Sequence, residues 1–323
     1  MLQLFKENRI QNYFFILIYV LLLRIHTFFN SYGPVPKVDS ILYDAIGQGE
    51  WDTTWGMKII SVLLIFYHVM YINRILIVNN LAFGNPMYPG ALYVLFLSLL
   101  PEIHPLDPML VGNTFLILAI YHLFQAVHRN QRSKRLFNAG FLICIASVCN
   151  INYLFLMPFL ILASNSLIVV RNRDFLLYFL GFGTVVYFLG TYWYLTEGVS
   201  HALHKLTGYF HWFEYDFLRE EYGVVKTAIL GSLVLLSLIG FRQIVSKTNI
   251  FVRSKLHFLF NLLLYSILLV GIGFHVDLAH IQILFLPLSL LLGLYLFNLA
   301  RPVIAEGIHF ILLVLVVLSQ YFL

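Results

Sequence analysis

Long apolar runs separated by short polar loops recur along the whole chain, and they restrict the fold more than any other feature. A helix needs about 20 predominantly apolar residues to cross a hydrocarbon core of about 30 Å. We therefore predict an all-α fold, a polytopic transmembrane helical bundle that forms one integral membrane domain over residues 1–323. About eleven segments qualify as spans, the third and fifth being short: 12–30, 57–79, 90–101, 109–128, 136–150, 152–170, 175–196, 224–241, 257–274, 281–299 and 307–323.

The composition excludes several classes of protein. Sixty per cent of the residues are hydrophobic and only 11% are charged, whereas a soluble domain carries about 25% charged residues. The net charge of +5 has no soluble domain through which to attract nucleic acid, so no nucleic-acid partner is expected. No Walker, GxGxxG or GxSxG motif is present, which argues against a soluble nucleotide site. Cys144 and Cys149 lie in an apolar run and are expected to be buried thiols.

The charged residues indicate how the chain is threaded. If the N-terminus is cytoplasmic and the spans alternate, 14 of the 20 lysines and arginines fall on the cytoplasmic side, as the positive-inside rule requires. Under the same threading, 12 of the 15 acidic residues fall outside. That bias reflects either the greater length of the outer loops or a functional outer face. The basic N-terminal residues precede a long apolar run with no small-residue cleavage site, so we interpret this run as a retained first span.

Two outer loops are long and mix aromatic with charged residues. We call residues 30–56 the first outer loop and residues 197–223 the second outer loop. The first contains DSILYDAIGQGEW, whose apolar residues from Ile41 to Trp51 are typical of an amphipathic helix lying in the membrane interface. A further interfacial helix is expected in the second outer loop, anchored by its aromatic residues.

Charged side chains in and near the first outer loop are candidates for chemistry. A carboxylate at the membrane surface, from Asp39 or Asp44, could act as a general base or hold a divalent ion. The alternative is that both belong to the solvated face of an interfacial helix. Arg24, near the end of the first span, could bind a phosphate with its planar guanidinium or snorkel to the interface.

Histidines are frequent on the predicted outer side. His201 and His204 are three residues apart and would share a helix face, and HVDLAH places His275 near His280 in one short loop. Histidine is the commonest metal ligand, but neither group matches a known zinc signature. The alternative is that these histidines titrate freely in aqueous loops.

Polar residues between and within the spans have structural interpretations. PEIHPLDP, residues 101–108, is expected to form a rigid turn from which Glu102, His104 and Asp107 project outward. Polar residues within the spans are expected to hydrogen-bond between helices. They are His68, Asn113, His122, Asn150, Asn152, Asn165, His257, Asn261, Gln282 and His309.

The layout resembles the GT-C superfamily of polytopic glycosyltransferases, in which a first span precedes an outer loop with interfacial helices and an essential acidic residue. The matching stretches are the loop after Arg24 with Asp39 and Asp44, INRILIVNNLAFGNPMYPGALYVLFLSLLPEIHPLDPMLVGNTFLILAIYHLFQ and FNAGFLICIASVCNINYLFLMPFLILA. The resemblance covers roughly residues 1–200, in pattern more than in identity. The general character also resembles a polytopic membrane-protein family of Bacteroidota.

The resemblance implies transfer of a sugar from a polyprenyl-phosphate-linked donor at the non-cytoplasmic face, which in a bacterial inner membrane is the periplasmic face. Asp44 or Asp39 would be the general base or the ligand of a divalent metal ion. Membrane lipids, the donor and further membrane proteins are the expected partners. The substrate-binding residues would come from both outer loops and the first span: Arg24, Lys37, His26, His201, His204 and His211.

The chain departs from the GT-C pattern in three respects. The first outer loop carries single aspartates and no Asp-x-Asp pair, no large C-terminal soluble domain is present, and the chain is short for the class. A catalytically silent relative acting as a membrane scaffold or assembly subunit is therefore an alternative. A membrane oxidoreductase with histidine-bound iron and a transporter are further alternatives, although no span carries the acidic residues expected of an ion-coupled pump.

Overall fold

The computed structural model describes residues 5, 10–29, 40–42, 55–82, 84, 86–101, 103, 105–127, 131–167, 171–196, 198, 223–272 and 278–321. Over these residues the chain forms α-helices and one short 3-10 helix, Leu278–Ile281, with no strand, which confirms the all-α prediction. The α-helices are α1 Ile10–Leu23, α2 Ile25–Phe29, α3 Trp55–Val78, α4 Tyr88–Ser98, α5 Pro108–Gln125, α6 Arg132–Cys149, α7 Tyr153–Ser164, α8 Asn172–Thr196, α9 Gly223–Ser246, α10 Ile250–Ile272, α11 Gln282–Phe297 and α12 Pro302–Tyr321.

The long helices have the length and composition of membrane spans. Within the described ranges, seven helices are long and apolar enough to cross a bilayer, namely α3, α5, α8, α9, α10, α11 and α12. Helices α1, α4 and α7 are apolar but shorter, and α6 begins with the polar sequence RSKR. Each apolar segment predicted from the sequence overlaps one of these helices. The lengths and composition of its helices are therefore those of a multi-pass membrane protein.

Two helices, α4 and α11, lie at the centre of the bundle. Every residue of α4 is buried, and α11 is buried from Gln282 to Leu294. A helix that is apolar on all sides can lie in the interior of a bundle, and these two do. The two helices approach closely, since a Cβ on Gly293 would lie 2.7 Å from the ring of Pro89. Around them pack α1, α3 and α12 on one side and α9 and α10 on the other.

Helices α5, α6 and α8 form one flank of the bundle. Helix α6 packs against both α5 and α8, and only 11% of the most apolar stretch of α8 is buried. Glycines allow α6 and α8 to meet backbone to backbone: a Cβ on Gly181 would lie 2.1 Å from the carbonyl oxygen of Phe137, and one on Gly140 would lie 2.0 Å from that of Tyr178. Small residues at helix crossings are typical of membrane bundles.

The two ends of the bundle differ in chemistry. At the end where α6 begins, which we call the Arg132 end, Arg132 forms an ion pair with Asp174, and Arg135 donates to Nδ1 of His122 at 3.0 Å. Lys255 donates to the Asn79 side chain at 2.9 Å at this end. The opposite end, where α1 and α6 end and α5 and α11 begin, we call the Arg24 end. It contains most of the buried polar residues discussed below.

Candidate functional site

Arg24 lies in a break between two helices and is enclosed by protein. It separates α1 from α2, and its side chain is only 3% exposed. The break is stabilised by Thr27, whose hydroxyl donates to the Arg24 carbonyl at 2.7 Å. Gln320 of α12 links the last residues of α1 and α4. Its side-chain amide donates to the carbonyls of Leu23 at 2.8 Å and Ser98 at 3.1 Å. An arginine this deeply enclosed is held by the protein and does not snorkel out of it.

His68 is the centre of a buried polar contact between α3, α4 and α5. Its Nδ1 lies 3.1 Å from the Tyr93 hydroxyl and its Nε2 lies 2.7 Å from the Thr114 hydroxyl. His68 and Tyr93 have no exposed surface. The three helices thus bring a histidine, a phenol and a hydroxyl into hydrogen-bonding contact inside the bundle.

A second group of buried polar residues joins α5, α7 and α11 at the Arg24 end. Asp107 caps α5, accepting from the Met109 amide at 3.1 Å and from Nε2 of Gln282 at 3.0 Å. The Tyr153 hydroxyl donates to Oδ1 of Asn113 at 2.8 Å. For His68, Asn113 and Gln282, the expected interhelical hydrogen bonds are thus present. Asp107, in contrast, is 3% exposed, so the prediction that it projects outward is wrong.

Asn150 and His280 continue this polar region to the starts of α7 and α11. Nδ2 of Asn150 lies 3.3 Å from Nε2 of His280, and both side chains are buried. Oδ1 of Asn150 accepts from the Asn152 amide at 2.9 Å, which fixes the turn between α6 and α7. His280 is therefore buried and hydrogen-bonded, and it is not the aqueous loop residue of one interpretation of the sequence. His275 lies outside the described residues.

Two lysines are buried at the Arg24 end. Lys58 is 6% exposed and Lys226 is 1% exposed. Nζ of Lys58 donates to the Phe28 carbonyl at 3.3 Å. Together with Arg24 they are three buried basic residues at this end, where the carboxylate of Asp107 is also buried, among the residues that the structure covers.

An apolar groove opens on the outside of the α6–α8 flank at the same end. Its volume is about 410 Å³ and its walls come from α6, α7 and α8, including Cys144, Ile151, Gly190 and Trp193. Ile41 of the first outer loop completes the lining. A much smaller apolar cavity, of about 150 Å³, already stays dry and binds small apolar molecules. The groove is therefore suited to the hydrocarbon chain of a lipid.

The structure covers part of the site predicted from the sequence. Arg24 lies in the buried polar region, and His26 is half-buried with its ring 5.7 Å from that of Tyr321. The other predicted site residues, and the predicted interfacial helix of the second outer loop, lie outside the described residues. Of the first outer loop, Ile41 and Leu42 are helical. The predicted site residues that lie outside the described ranges are Lys37, Asp39, Asp44, His201, His204 and His211.

The metal prediction concerns mainly residues that the structure does not describe. Among those that it does, no three His, Cys, Asp or Glu side chains come together as a metal-binding group. Cys144 and Cys149 are both buried free thiols, as expected from their apolar surroundings. The two aspartates of the first outer loop stay the predicted ligands.

For several residues of this region, the sequence contains only weak indications of their role or their burial. Asp107 followed by Pro108 is the usual start of a helix, with the aspartate as N-cap and the proline as first residue, and that pattern predicts a capping role. The residues around Lys58 and Lys226 in the sequence do not predict that these lysines are buried. Each lies near the start of a helix, where an exposed lysine is equally expected. The pairing of Asn150 with His280 joins residues that are remote in sequence.

Comparison with known proteins gives no relative from which a function could be transferred. No known family, no curated protein and no solved structure matches the chain.

Proposed function

We propose that this protein transfers a sugar from a polyprenyl-phosphate-linked donor at the Arg24 end of the bundle. In this proposal the chain crosses the membrane about eleven times with a cytoplasmic N-terminus, in a GT-C-like arrangement. The Arg24 end then faces the periplasm of a bacterial inner membrane. The groove between α6, α7 and α8 holds the polyprenyl chain, and the first outer loop supplies the reacting carboxylate.

One observation carries the proposal: Ile41, from the loop that contains both candidate aspartates, lines the apolar groove. Asp39 is two residues and Asp44 is three residues from Ile41. An extended chain spans at most about 3.6 Å per residue, so covalent connectivity alone keeps their Cα atoms within roughly 7 and 11 Å of that of Ile41. A lipid in the groove would thus have a carboxylate near its head group.

Basic residues at the Arg24 end are suited to an anionic head group. Arg24, Lys58 and Lys226 are buried at the Arg24 end, and positive charge of this kind stabilises phosphate in both the bound state and the transition state. Lys37, in the first outer loop, would add a further cation. The aromatic residues Trp193 and Tyr194 line the groove at the end of α8, where the interface of a bilayer is expected.

The proposed reaction is a displacement at the anomeric carbon of the sugar. The acceptor hydroxyl oxygen forms the new bond to that carbon, and the bond from the carbon to the phosphate oxygen breaks. The polyprenyl phosphate leaves with the bonding electron pair. Asp44 or Asp39 takes the proton of the acceptor hydroxyl, or holds a divalent ion that neutralises the leaving phosphate. His26, His201, His204 and His211 would surround the substrate.

The first test removes the negative charge of the candidate base. Asp44→Asn and Asp39→Asn are compared with Asp52→Asn, a matched change in the same loop, in purified protein in lipid nanodiscs. With a radiolabelled polyprenyl-phosphate hexose and a membrane extract as acceptor, we expect Asp44→Asn or Asp39→Asn to lower the transfer rate at least about tenfold, because general-base catalysis contributes that much or more. The Asp52→Asn rate should equal that of the wild type. Equal rates in all four proteins would contradict the proposal.

The second test blocks the groove. Gly190 lines it, whereas Gly183 on the same helix does not, and a Cβ at either position meets nothing within 4 Å. A Cβ is therefore unobstructed at both positions, but only position 190 borders the groove. We expect Gly190→Phe to weaken polyprenyl-phosphate binding by about tenfold or more, since each excluded methylene loses about 0.8 kcal/mol. Native mass spectrometry in nanodiscs measures this, and equal affinity of Gly190→Phe and Gly183→Phe would refute the groove assignment.

A scaffold or assembly subunit is the second candidate, favoured by the exposure of α8. Leu176, Leu180 and Leu195 are each more than 60% exposed, so this helix offers a long apolar surface to another membrane protein. The aspartate variants separate the two candidates, because a scaffold would keep its cellular role without either carboxylate. Disruption of the α8 surface would abolish that role instead.

A further inference from the structure

An arginine and three tyrosines come together where α3 and α5 approach the Arg132 end. Cζ of Arg74 lies 5.8 Å from the centre of the Tyr71 ring and 5.6 Å from that of the Tyr121 ring. The rings of Tyr67 and Tyr71 are 4.6 Å apart. Aromatic rings attract a guanidinium without neutralising its charge, and its N–H donors can still bind an anion.

A second arginine, Arg135 of α6, is held at the same turn of α5. It donates to Nδ1 of His122 at 3.0 Å and to the side-chain oxygen of Gln131 at 2.9 Å. Tyr121 and His122 are consecutive residues whose ring centroids are 5.7 Å apart. The rings of one turn of α5 therefore contact Arg74 on α3 and Arg135 on α6.

The two arginines differ from their neighbour Arg132 in their partners. Arg132 forms an ion pair with Asp174. Over the ranges that the structure describes, neither Arg74 nor Arg135 pairs with a carboxylate, and their contacts are to tyrosine rings, an imidazole and an amide. Both guanidinium groups are thus positioned by groups that do not neutralise them.

Both arginines lie at the depth where lipid head groups are expected. Helices α3 and α5 have the length and composition of membrane spans. Arg74 is four residues from the end of α3, which is about 6 Å along the helix axis. Tyr121 is four residues from the end of α5, and Arg135 is in the first turn of α6. The ends of a span reach the head-group region of a bilayer, where tyrosine is enriched.

The surface of α3 that continues from Arg74 towards the middle of the helix is apolar and open. Leu63 is 56% and Met70 is 41% exposed, and Tyr67 between them is half-buried. Positions 63, 67, 70 and 74 share one face of a helix, because they are spaced by three or four residues. A lipid whose phosphate is at Arg74 would have its acyl chains along this face, which a small soluble anion would not contact.

We propose that Arg74 and Arg135 bind the head group of an anionic membrane phospholipid, with its acyl chains along the Leu63–Arg74 face of α3. The phosphate accepts hydrogen bonds from the guanidinium groups, whose planar fork matches its oxygens. Basic groups at the ends of membrane helices are attracted to anionic lipids, and here aromatic rings fix one of them at head-group depth. The site is independent of the proposed sugar transfer, because it lies at the opposite end of the bundle from Arg24.

A comparison of two lipids tests the wild-type protein directly. Phosphatidylglycerol and phosphatidylcholine with the same acyl chains are added to the full-length protein in detergent, and native mass spectrometry measures the affinity of each. Both lipids contain a phosphate, but only phosphatidylglycerol has a net negative charge. We expect phosphatidylglycerol to bind at least about tenfold more tightly, because two guanidinium groups face its head group. Equal affinities would overturn the inference.

Exchange of single arginines then locates the site. Arg74→Gln and Arg135→Gln are compared with Arg173→Gln, which removes the same charge from an exposed arginine at the start of α8, at the same end of the bundle. We expect Arg74→Gln to lower the affinity for phosphatidylglycerol about fivefold or more, because a charge-assisted hydrogen bond is lost. Arg135→Gln should lower it in the same direction, and Arg173→Gln should bind like the wild type. Equal affinities of Arg74→Gln and Arg173→Gln would place the lipid elsewhere and overturn the assignment.

Glycerol 3-phosphate distinguishes a lipid from a free phosphate. It has a phosphate but no acyl chains, so it should not displace phosphatidylglycerol when both are present at the same concentration. Displacement at equal concentration would mean that the site binds small anions, and the lipid assignment would be wrong. Melting in the same detergent checks that each variant is folded, and the wild-type comparison decides the question without any variant.

Discussion

Alanine at position 181 is expected to lower the free energy of unfolding by about 3 kcal/mol or more, because overpacking of a well-packed contact costs about 1–3 kcal/mol and here the obstacle is backbone. A Cβ on Gly181 would lie 2.1 Å from the Phe137 carbonyl oxygen and 2.9 Å from the Phe141 nitrogen. Neither atom can rotate away as a side chain would. Helices α6 and α8 would have to separate, and the flank that forms one wall of the apolar groove would open.

Gly183 provides the control for this prediction. It lies on the same helix, and a Cβ there meets nothing within 4 Å. Since alanine is favoured over glycine within a helix by about 0.5–1 kcal/mol, Gly183→Ala should be neutral or slightly stabilising. The apparent melting temperature in detergent, followed by intrinsic fluorescence, measures both variants. If Gly181→Ala melted as high as Gly183→Ala, the close α6–α8 crossing would be wrong.

Loss of the Asp107 side chain is expected to destabilise the protein by about 2–4 kcal/mol. An N-cap is worth about 1 kcal/mol, and a buried polar group left without its partner costs about 1–3 kcal/mol. In Asp107→Ala both penalties apply, because the carboxylate caps α5 at the Met109 amide and accepts from Gln282. The start of α5 would also lose its attachment to α11.

Asp107→Asn separates the hydrogen-bonding role from the charge. Asparagine is as good an N-cap as aspartate, and its side-chain oxygen can still accept from Gln282. We expect Asp107→Asn to keep most of the stability that Asp107→Ala loses, as judged by melting in the same detergent. Equal losses in the two variants would mean that the negative charge itself stabilises the Arg24 end.

The membrane architecture follows from the sequence because the bilayer imposes a length and a polarity on every span. The helix at Trp55–Val78 agrees to within two residues with the predicted segment 57–79. The interior position of α4 could not be predicted in the same way. The predicted segment 90–101 is apolar throughout. An apolar segment can face either lipid or protein, so its hydropathy does not show which of the two surrounds it.

The sequence predicted that polar residues of the spans form hydrogen bonds between helices, but it did not predict which residues bond to each other. Polar residues within spans are expected to bond between helices, and His68 and Asn113 do so. The partner of Asp107 is Gln282, far away in the sequence, and no local pattern joins them. The proline-rich turn suggested an outward Asp107 because a turn is usually exposed, whereas here the turn leads directly into the centre of the bundle. The roles of Asp39 and Asp44 stay predictions.

The contact between Pro89 and Gly293 joins parts of the chain that are about 200 residues apart. Contacts of such long sequence separation form late, because a large loop must close before they do. During synthesis the chain emerges from its N-terminus, so α4 enters the membrane long before α11 exists. Until then α4 has lipid or other protein in place of its native neighbour. The bundle can therefore reach its final packing only when nearly all of the chain has been made.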